Sequence, residues 1–284
     1  MNNEETVFLS LNERFEKFYN QVFYKSINID GIEWRYMDIG NPNGKPLVFL
    51  TGGFRHALWS FSTLDLFLDE YRVLAPCYPL INDLDAVIDG IKFIIEHESI
   101  QNCYMIGSSW GGSMVQCFTY KYPEIADKIV LSNTGAIFSK LMIPVLKLHK
   151  KMLGLQSKEK VLSDYKKKAL GFWSKPQIYQ KFWANLIERF YTELFTYEDY
   201  VALIQNQIDY LERYAFKLIE KSAYKKPVLI ISSKDETAST KKVRNKVKDL
   251  YEQQKYYEFD VGGHAVALAH PKEYKQLVQD FLNR

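Results

Sequence analysis

The chain is poor in cysteine. Its 284 residues hold three, Cys77, Cys103 and Cys117, odd in number and without C-x-x-C spacing. A disulfide scaffold and a cysteine zinc site are therefore not expected, and a reducing compartment is. No apolar run approaches the roughly 20 residues that a membrane helix needs. The first residues, Met1 to Glu5, carry acids and amides rather than a basic start, which does not fit a signal peptide. The expectation is a soluble, cytoplasmic protein without stable membrane association. Charge of one sign is also lacking: 37 Lys+Arg face 34 Asp+Glu, and a net +3 is too small to call for nucleic acid. There is no phosphate-binding G-x-x-x-x-G-K, no H-E-x-x-H and no close histidine cluster, so no cofactor and no metal are expected. Repeats, low-complexity tracts and Gly/Ser linkers are missing too. Oligomeric state is not legible.

What is present is an alternation. Short runs apolar on both faces fall at residues 46–51 (P-L-V-F-L-T), 72–76, 103–107, 128–132, 227–232 and 256–261. Runs of this length suit strands buried in a parallel sheet. Residues 23–29 and 32–39, split by Asp30-Gly31, form an expected antiparallel hairpin. Between the runs lie helical stripes, such as Leu84, Val87, Ile88, Ile91 and Ile95, or Tyr274, Leu277, Val278, Phe281 and Leu282. The fold class is α/β: a mostly parallel sheet of about eight strands flanked by helices. Residues 138–226 break the pattern. They are helical in spacing, and Val201, Ile204, Ile208, Leu211, Ala215 and Leu218 make one long stripe. They hold 17 Lys+Arg against nine Asp+Glu, opposite in sign to the rest. Most of these lysines are expected on solvated helix faces. Lys150-Lys151 and Lys166-Lys167-Lys168 are the notable clusters, too short to make membrane or nucleic-acid binding a primary role.

The strongest chemical signal is Gly107-Ser108-Ser109-Trp110-Gly111, a G-x-S-x-G with Gly112 behind it, between a strand and a helical pattern. A serine at a sharp strand-to-helix turn is held in a strained backbone, and the flanking glycines let the turn close. Its hydroxyl then stands above the sheet at a helix N-terminus that favours developing negative charge. Ser109 is the expected nucleophile. A serine hydroxyl needs a base, and five histidines are available: His56, His97, His149, His264 and His270. His264, in V-G-G-H after the last strand, stands at the sheet edge that carries the site in open α/β sheets. His56 follows a glycine loop and can approach the site, His97 fits a helix end, and His270 fits a capping position. The loop after the strand at 227–232 reads Ser233-Lys234-Asp235-Glu236. Asp235 is the expected acid, with Glu236 as runner-up, because the order nucleophile, acid, histidine is the one this architecture requires. Asn133, at the other place an acid could come from, has no charge to offer. Thr51-Gly52-Gly53-Phe54 follows the strand at 46–51, and glycine admits a ligand close to the backbone. The N–H groups of Gly53 and Trp110 are the expected oxyanion donors, with Phe54 as the alternative to Gly53.

The set T-G-G-F (51–54), G-S-S-W-G-G (107–112), S-K-D (233–235) and G-G-H (262–264) resembles the α/β-hydrolase fold superfamily over roughly residues 22–284. The resemblance implies a core of residues 1–137 and 227–284, with 138–226 as a helical cap. The paired glycines and S-W-G-G are similar to the proline-iminopeptidase-like branch, where H-G-G-P-G usually stands in place of Thr51-Gly52-Gly53-Phe54-Arg55. Prolyl aminopeptidases need cap carboxylates for the substrate's amine, and a basic cap argues against that substrate. Epoxide hydrolases and haloalkane dehalogenases of this fold use an aspartate nucleophile, and Ser109 argues against both.

The expected activity is a serine hydrolase of a carboxylic ester, thioester or amide, through an acyl-enzyme. The alternatives are a carbon–carbon bond hydrolase on the same triad and a silent member of the fold used as a receptor. Aromatic residues of the cap, Phe172 and Trp173 together with Phe182 and Trp183, point with Phe54 to an apolar acyl or aromatic group. The cap lysines are available to an anionic end of the substrate.

Overall fold

In a computed structural model, residues 3–135, 139–173, 176–220 and 224–283 are described. The expected core–cap boundary at 137/138 lies outside them.

Eight strands form one sheet: β1 (Tyr24–Ile29), β2 (Ile32–Gly40), β3 (Lys45–Leu50), β4 (Tyr71–Pro76), β5 (Cys103–Ser108), β6 (Ala126–Ser132), β7 (Val228–Ser233) and β8 (Gln254–Phe259). Their spatial order is β1-β2-β4-β3-β5-β6-β7-β8. β2 is antiparallel to both its neighbours, and β3 to β8 run parallel. The tight β1–β2 connection places Asp30 and Gly31 at positive φ, as an Asp-Gly hairpin requires.

Twelve helices accompany the sheet among the described residues: α1 (Asn3–Gln21), α2 (Phe61–Leu64), α3 (Leu84–His97), α4 (Trp110–Lys121), α5 (Met142–Leu153), α6 (Lys158–Trp173), α7 (Gln180–Glu193), α8 (Tyr197–Asp209), α9 (Ala215–Glu220), α10 (Lys241–Lys248), α11 (Val266–Ala269) and α12 (Pro271–Leu282). None is long and apolar enough to cross a membrane.

The central strands are apolar on both faces because both are covered. Along β3, Leu47 and Phe49 join one core layer while Val48 and Leu50 join the other, and Tyr104 and Ile106 alternate with Cys103 and Met105 along β5. Each such fully buried aliphatic side chain stabilises by roughly 1.5–3 kcal/mol. The stripe Leu84, Val87, Ile88, Ile91 and Ile95 is the buried face of α3. Asp83 caps that helix, accepting from Ala86 N.

Helices α5 to α9 all lie between β6 and β7. The single long helix expected there is interrupted: α8 runs into a π-helical turn at Tyr210–Tyr214 before α9. Asp209, fully buried beside the turn, accepts from Leu84 N and Gln205 Nε2, so its carboxylate ties the insertion to the start of α3. Helix α1 was not expected from the sequence. Its Phe15 and Phe18 enter the core beside Phe61, and Glu16 pairs with Arg189 of α7.

Candidate active site

Parallel strands bring their C-terminal ends to one edge. β3 leads into Thr51-Gly52-Gly53, β5 into Ser109, β6 into Asn133, β7 into Asp235-Glu236 and β8 into the loop carrying His264. Residues far apart in sequence meet there because sheet order, not chain order, decides neighbours.

Ser109 has φ 55 and ψ −124, a conformation costly for any residue with a side chain. The surroundings hold it there: Ser109 N donates to Ser132 O (3.0 Å), and Thr134 Oγ1 donates to Ser109 O (2.7 Å). The flanking glycines are steric necessities. A Cβ on Gly107 would stand 2.4 Å from Gly111 O, and one on Gly111 would stand 1.9 Å from Leu50 O. Both neighbours are backbone and cannot step aside. Gly111→Ala should therefore push α4 off β3 and give insoluble protein, checked by soluble yield against wild type. Normal yield and melting temperature would contradict that packing.

His264 is buried, and its Nδ1 lies 2.6 Å from Glu236 Oε2. Glu236, the runner-up, and not Asp235 is therefore the acid in contact with the histidine. Asp235 turns the other way: its carboxylate accepts from Gly263 N (2.8 Å) and Gly262 N (3.3 Å). Those glycines take φ 55 and 144, so Asp235 fixes the sharp loop that presents the imidazole, while its neighbour contacts the ring. In the turn after β7, adjacent side chains diverge and only Glu236 reaches the imidazole. Asn133, passed over for want of charge, proves to be part of the site. At φ 45 its Nδ2 donates to Glu236 Oε2 (2.9 Å) and Gly263 O (3.1 Å), bracing acid and histidine loop together.

Burial alone would raise the Glu236 carboxyl. The charge and hydrogen bond of His264, with donation from Ala238 N and Asn133, bring it down instead to about 2. A carboxyl lowered in the fold stabilises it fully above its ordinary 4.5, and that stability is lost as pH falls toward about 2. Acid unfolding followed by circular dichroism should thus be steeper between these limits in wild type than in Glu236→Gln. Parallel curves would contradict the pairing.

Ser109 and His264 line one cavity of about 290 Å³. Among the described residues no hydrogen bond joins the Ser109 hydroxyl to the imidazole, a looseness common before substrate binds. Gly53, Trp110, Phe54, Phe172 and Trp173 also line it. A Cβ on Gly52 would stand 3.4 Å from Ser109 Cβ, so the glycine loop passes directly over the nucleophile. Phe54 stacks on Trp59 at 3.8 Å, and Trp173 sets its edge against His264 at 4.9 Å. The lining among the described residues contains no Lys, Arg, Asp or Glu. Instead, Lys147, Lys158, Lys160 and Lys166 pair with Glu212, Glu198, Asp164 and Glu188.

Arg55 explains the departure from H-G-G-P-G. It takes φ 62 where that pattern has glycine, and its buried guanidinium donates to Asn206 Oδ1 (2.9 Å) and Pro79 O (2.6 Å). The glycine loop is thereby anchored to α8. Of the other histidines, His56 accepts from Leu58 N through Nδ1, and burial pulls its pKa down to about 4. His149 bonds the Tyr200 hydroxyl at 3.0 Å, and His270 bonds Val261 O.

An eight-stranded, mostly parallel sheet with a strained serine between β5 and α4, and a histidine after β8, defines a class of hydrolase fold. The sequence profile of the alpha/beta hydrolase fold family matches residues 79–271, and the chain belongs to that family. Epoxide hydrolase 4 of Mus musculus is 31% identical over 122 residues, which cover 39% of this chain and 34% of that protein. A 2-hydroxy-6-oxo-6-phenylhexa-2,4-dienoate hydrolase of Burkholderia cepacia is 28% identical over 85 residues, 26% of this chain and 30% of that one. The chain spans about a third of the length of the curated relatives it matches. Among solved structures, the enol-lactonase of Burkholderia xenovorans LB400 superposes with TM-score 0.76 at 16% identity, covering 92% of this chain and all of that one. A hydrolase of Pseudomonas aeruginosa PA01 gives TM-score 0.74 at 15% identity over 93% and 99%.

Proposed function

We propose that the protein is a serine hydrolase that cleaves a small, uncharged carboxylic ester through an acyl-enzyme. The observation that carries this reading is the strained Ser109 facing the same cavity as an imidazole held by a buried carboxylate. Ser109 Oγ attacks the ester carbonyl while His264 Nε2 takes its proton. Glu236 holds the proton on Nδ1 and stabilises the imidazolium. The N–H groups of Gly53 and Trp110, neither engaged by a protein acceptor among the described residues, donate to the oxyanion. Collapse of the tetrahedral species expels the alkoxide, which takes the proton from His264. Water, deprotonated by the same imidazole, then releases the acid and frees Ser109. Residue 109 is a serine, which favours this route over epoxide opening by a carboxylate. Helices α5 to α9 act as the cap, with Trp173 and Trp183 forming an aromatic wall for the acyl group.

A panel of p-nitrophenyl esters of rising chain length tests the reading. Turnover should be best for short to medium acyl groups and fall once the chain outgrows the cavity. No hydrolysis of any member by folded protein would count against esterase activity.

Tyr165 of α6 refines the site. Its hydroxyl lies 3.3 Å from where a Cβ on Gly53 would stand, and the residue lines the same cavity as Ser109. It is placed to donate to the same oxyanion. Tyr165→Phe should lower kcat about tenfold with KM within about twofold, as loss of a transition-state donor does. A change in KM alone would make Tyr165 only a wall of the cavity.

A further inference from the structure

Helix α5 presents two different apolar faces. Its inner face, with Ile143, Leu146 and Leu153, packs into the protein, and His149 and Lys150 on that side bond Tyr200 and Gln205 of α8. Its outer side is apolar as well. On the helix Val145, Leu148 and Met152 are 54%, 59% and 48% exposed, and Leu141 and Leu155, which flank it, are 79% and 80% exposed. The spacing of three and four residues puts the three helical side chains within an arc of about 60° along about 10 Å of helix, with Leu141 before it and Leu155 in the turn after it. Scattered exposed leucines are ordinary, whereas three apolar side chains on one helix face with an exposed leucine at each end mark an interaction surface.

Charge indicates the partner. Lys147 and Lys151, four residues apart on α5, lie along one border of the stripe, and Lys140 precedes the helix with its ammonium 5.0 Å from the Phe216 ring. From Lys140 to Lys158 there is no acidic residue in the sequence. Lys147 contacts Glu212 in an exposed pair, which holds it only weakly. An apolar stripe bordered by lysines is the pattern of a helix lying in the plane of a membrane interface, its apolar side chains among the acyl chains and its ammonium groups at anionic headgroups. We infer that the outer face of α5 docks the protein reversibly on an anionic lipid surface. This contact is peripheral. It differs from the stable association that the sequence argues against, and it does not depend on the assignment of the catalytic residues.

The test is co-sedimentation of the full chain with vesicles of phosphatidylcholine alone or mixed with equal phosphatidylglycerol. Wild type should partition onto the mixed vesicles at least about tenfold better than onto phosphatidylcholine, and high salt should weaken that binding. The double variant Val145→Asp/Leu148→Asp should lose about tenfold or more. Lys147→Glu/Lys151→Glu should lose the preference for phosphatidylglycerol. Both variants change exposed positions and should keep the wild-type melting temperature. Three results would overturn the inference. One is equal affinity for both vesicles or for neither. Another is binding unchanged in both folded variants. The third is a wild-type dimer in size-exclusion chromatography with light scattering that Val145→Asp/Leu148→Asp converts to monomer, which would make a second copy the occupant.

Discussion

Ser109→Ala should lose turnover by on the order of a millionfold, leaving only what substrate binding and the backbone donors can do. The methyl group keeps the turn's backbone, so the fold should survive, and circular dichroism melting checks this. Ser109→Gly sharpens the test. At φ 55 a glycine relieves strain that serine bears, so this inactive variant should melt higher than wild type, by a few degrees. Opposite movement of activity and stability is the mark of a strained functional residue. If Ser109→Ala kept most of its activity on the best p-nitrophenyl ester, the nucleophile would lie elsewhere.

The second large effect separates two neighbouring acids. Glu236→Gln is isosteric but reverses the hydrogen-bonding demand on His264 Nδ1 and removes the charge that steadies the imidazolium. A fall in kcat of about ten-thousandfold is expected, the cost of presenting the wrong tautomer. Asp235→Asn should behave differently. It weakens the hold on Gly262 and Gly263, so it should lower the melting temperature and reduce kcat by about tenfold at most. Equal losses from both substitutions, or a larger loss from Asp235→Asn, would return the acid to residue 235.

Which acid contacts His264 was not legible in the sequence for a geometric reason. Chain order and the strand ending at Ser233 locate the loop that supplies the carboxylate, but not which of two adjacent side chains reaches His264. That is set by the twist of the turn and by Ala238 N and Asn133 waiting for Glu236. The signal available was weak: two acids in succession, one of which must serve the backbone of a two-glycine loop. Ser109 was legible because the glycines at 107 and 111 have a steric cause visible as a pattern. His264 was legible because few histidines fall at a strand's C-terminal end. Strands β3 to β7 were readable as largely apolar runs, since both faces are covered, whereas β8, at the sheet edge, alternates exposed and partly covered residues. Helix α1 was missed although Phe8, Leu11, Phe15 and Phe18 recur at helical spacing. Its stripe packs on Phe61 and across α7, partners remote in sequence. That no charged side chain lines the cavity among the described residues was hidden for a similar reason. Composition gives the insertion an excess of lysine, but folding turns the charged helix faces outward and the aromatic ones in.

The most direct test of the triad is covalent. Wild type, Ser109→Ala and Glu236→Gln would each be incubated with a fluorophosphonate probe and measured as intact protein and as peptides by mass spectrometry. One adduct on wild type, mapped to Ser109, absent from Ser109→Ala and formed far more slowly on Glu236→Gln, is the expected result. Folded wild type without an adduct, or an adduct on another residue, would contradict a hydroxyl at 109 activated through His264 and Glu236.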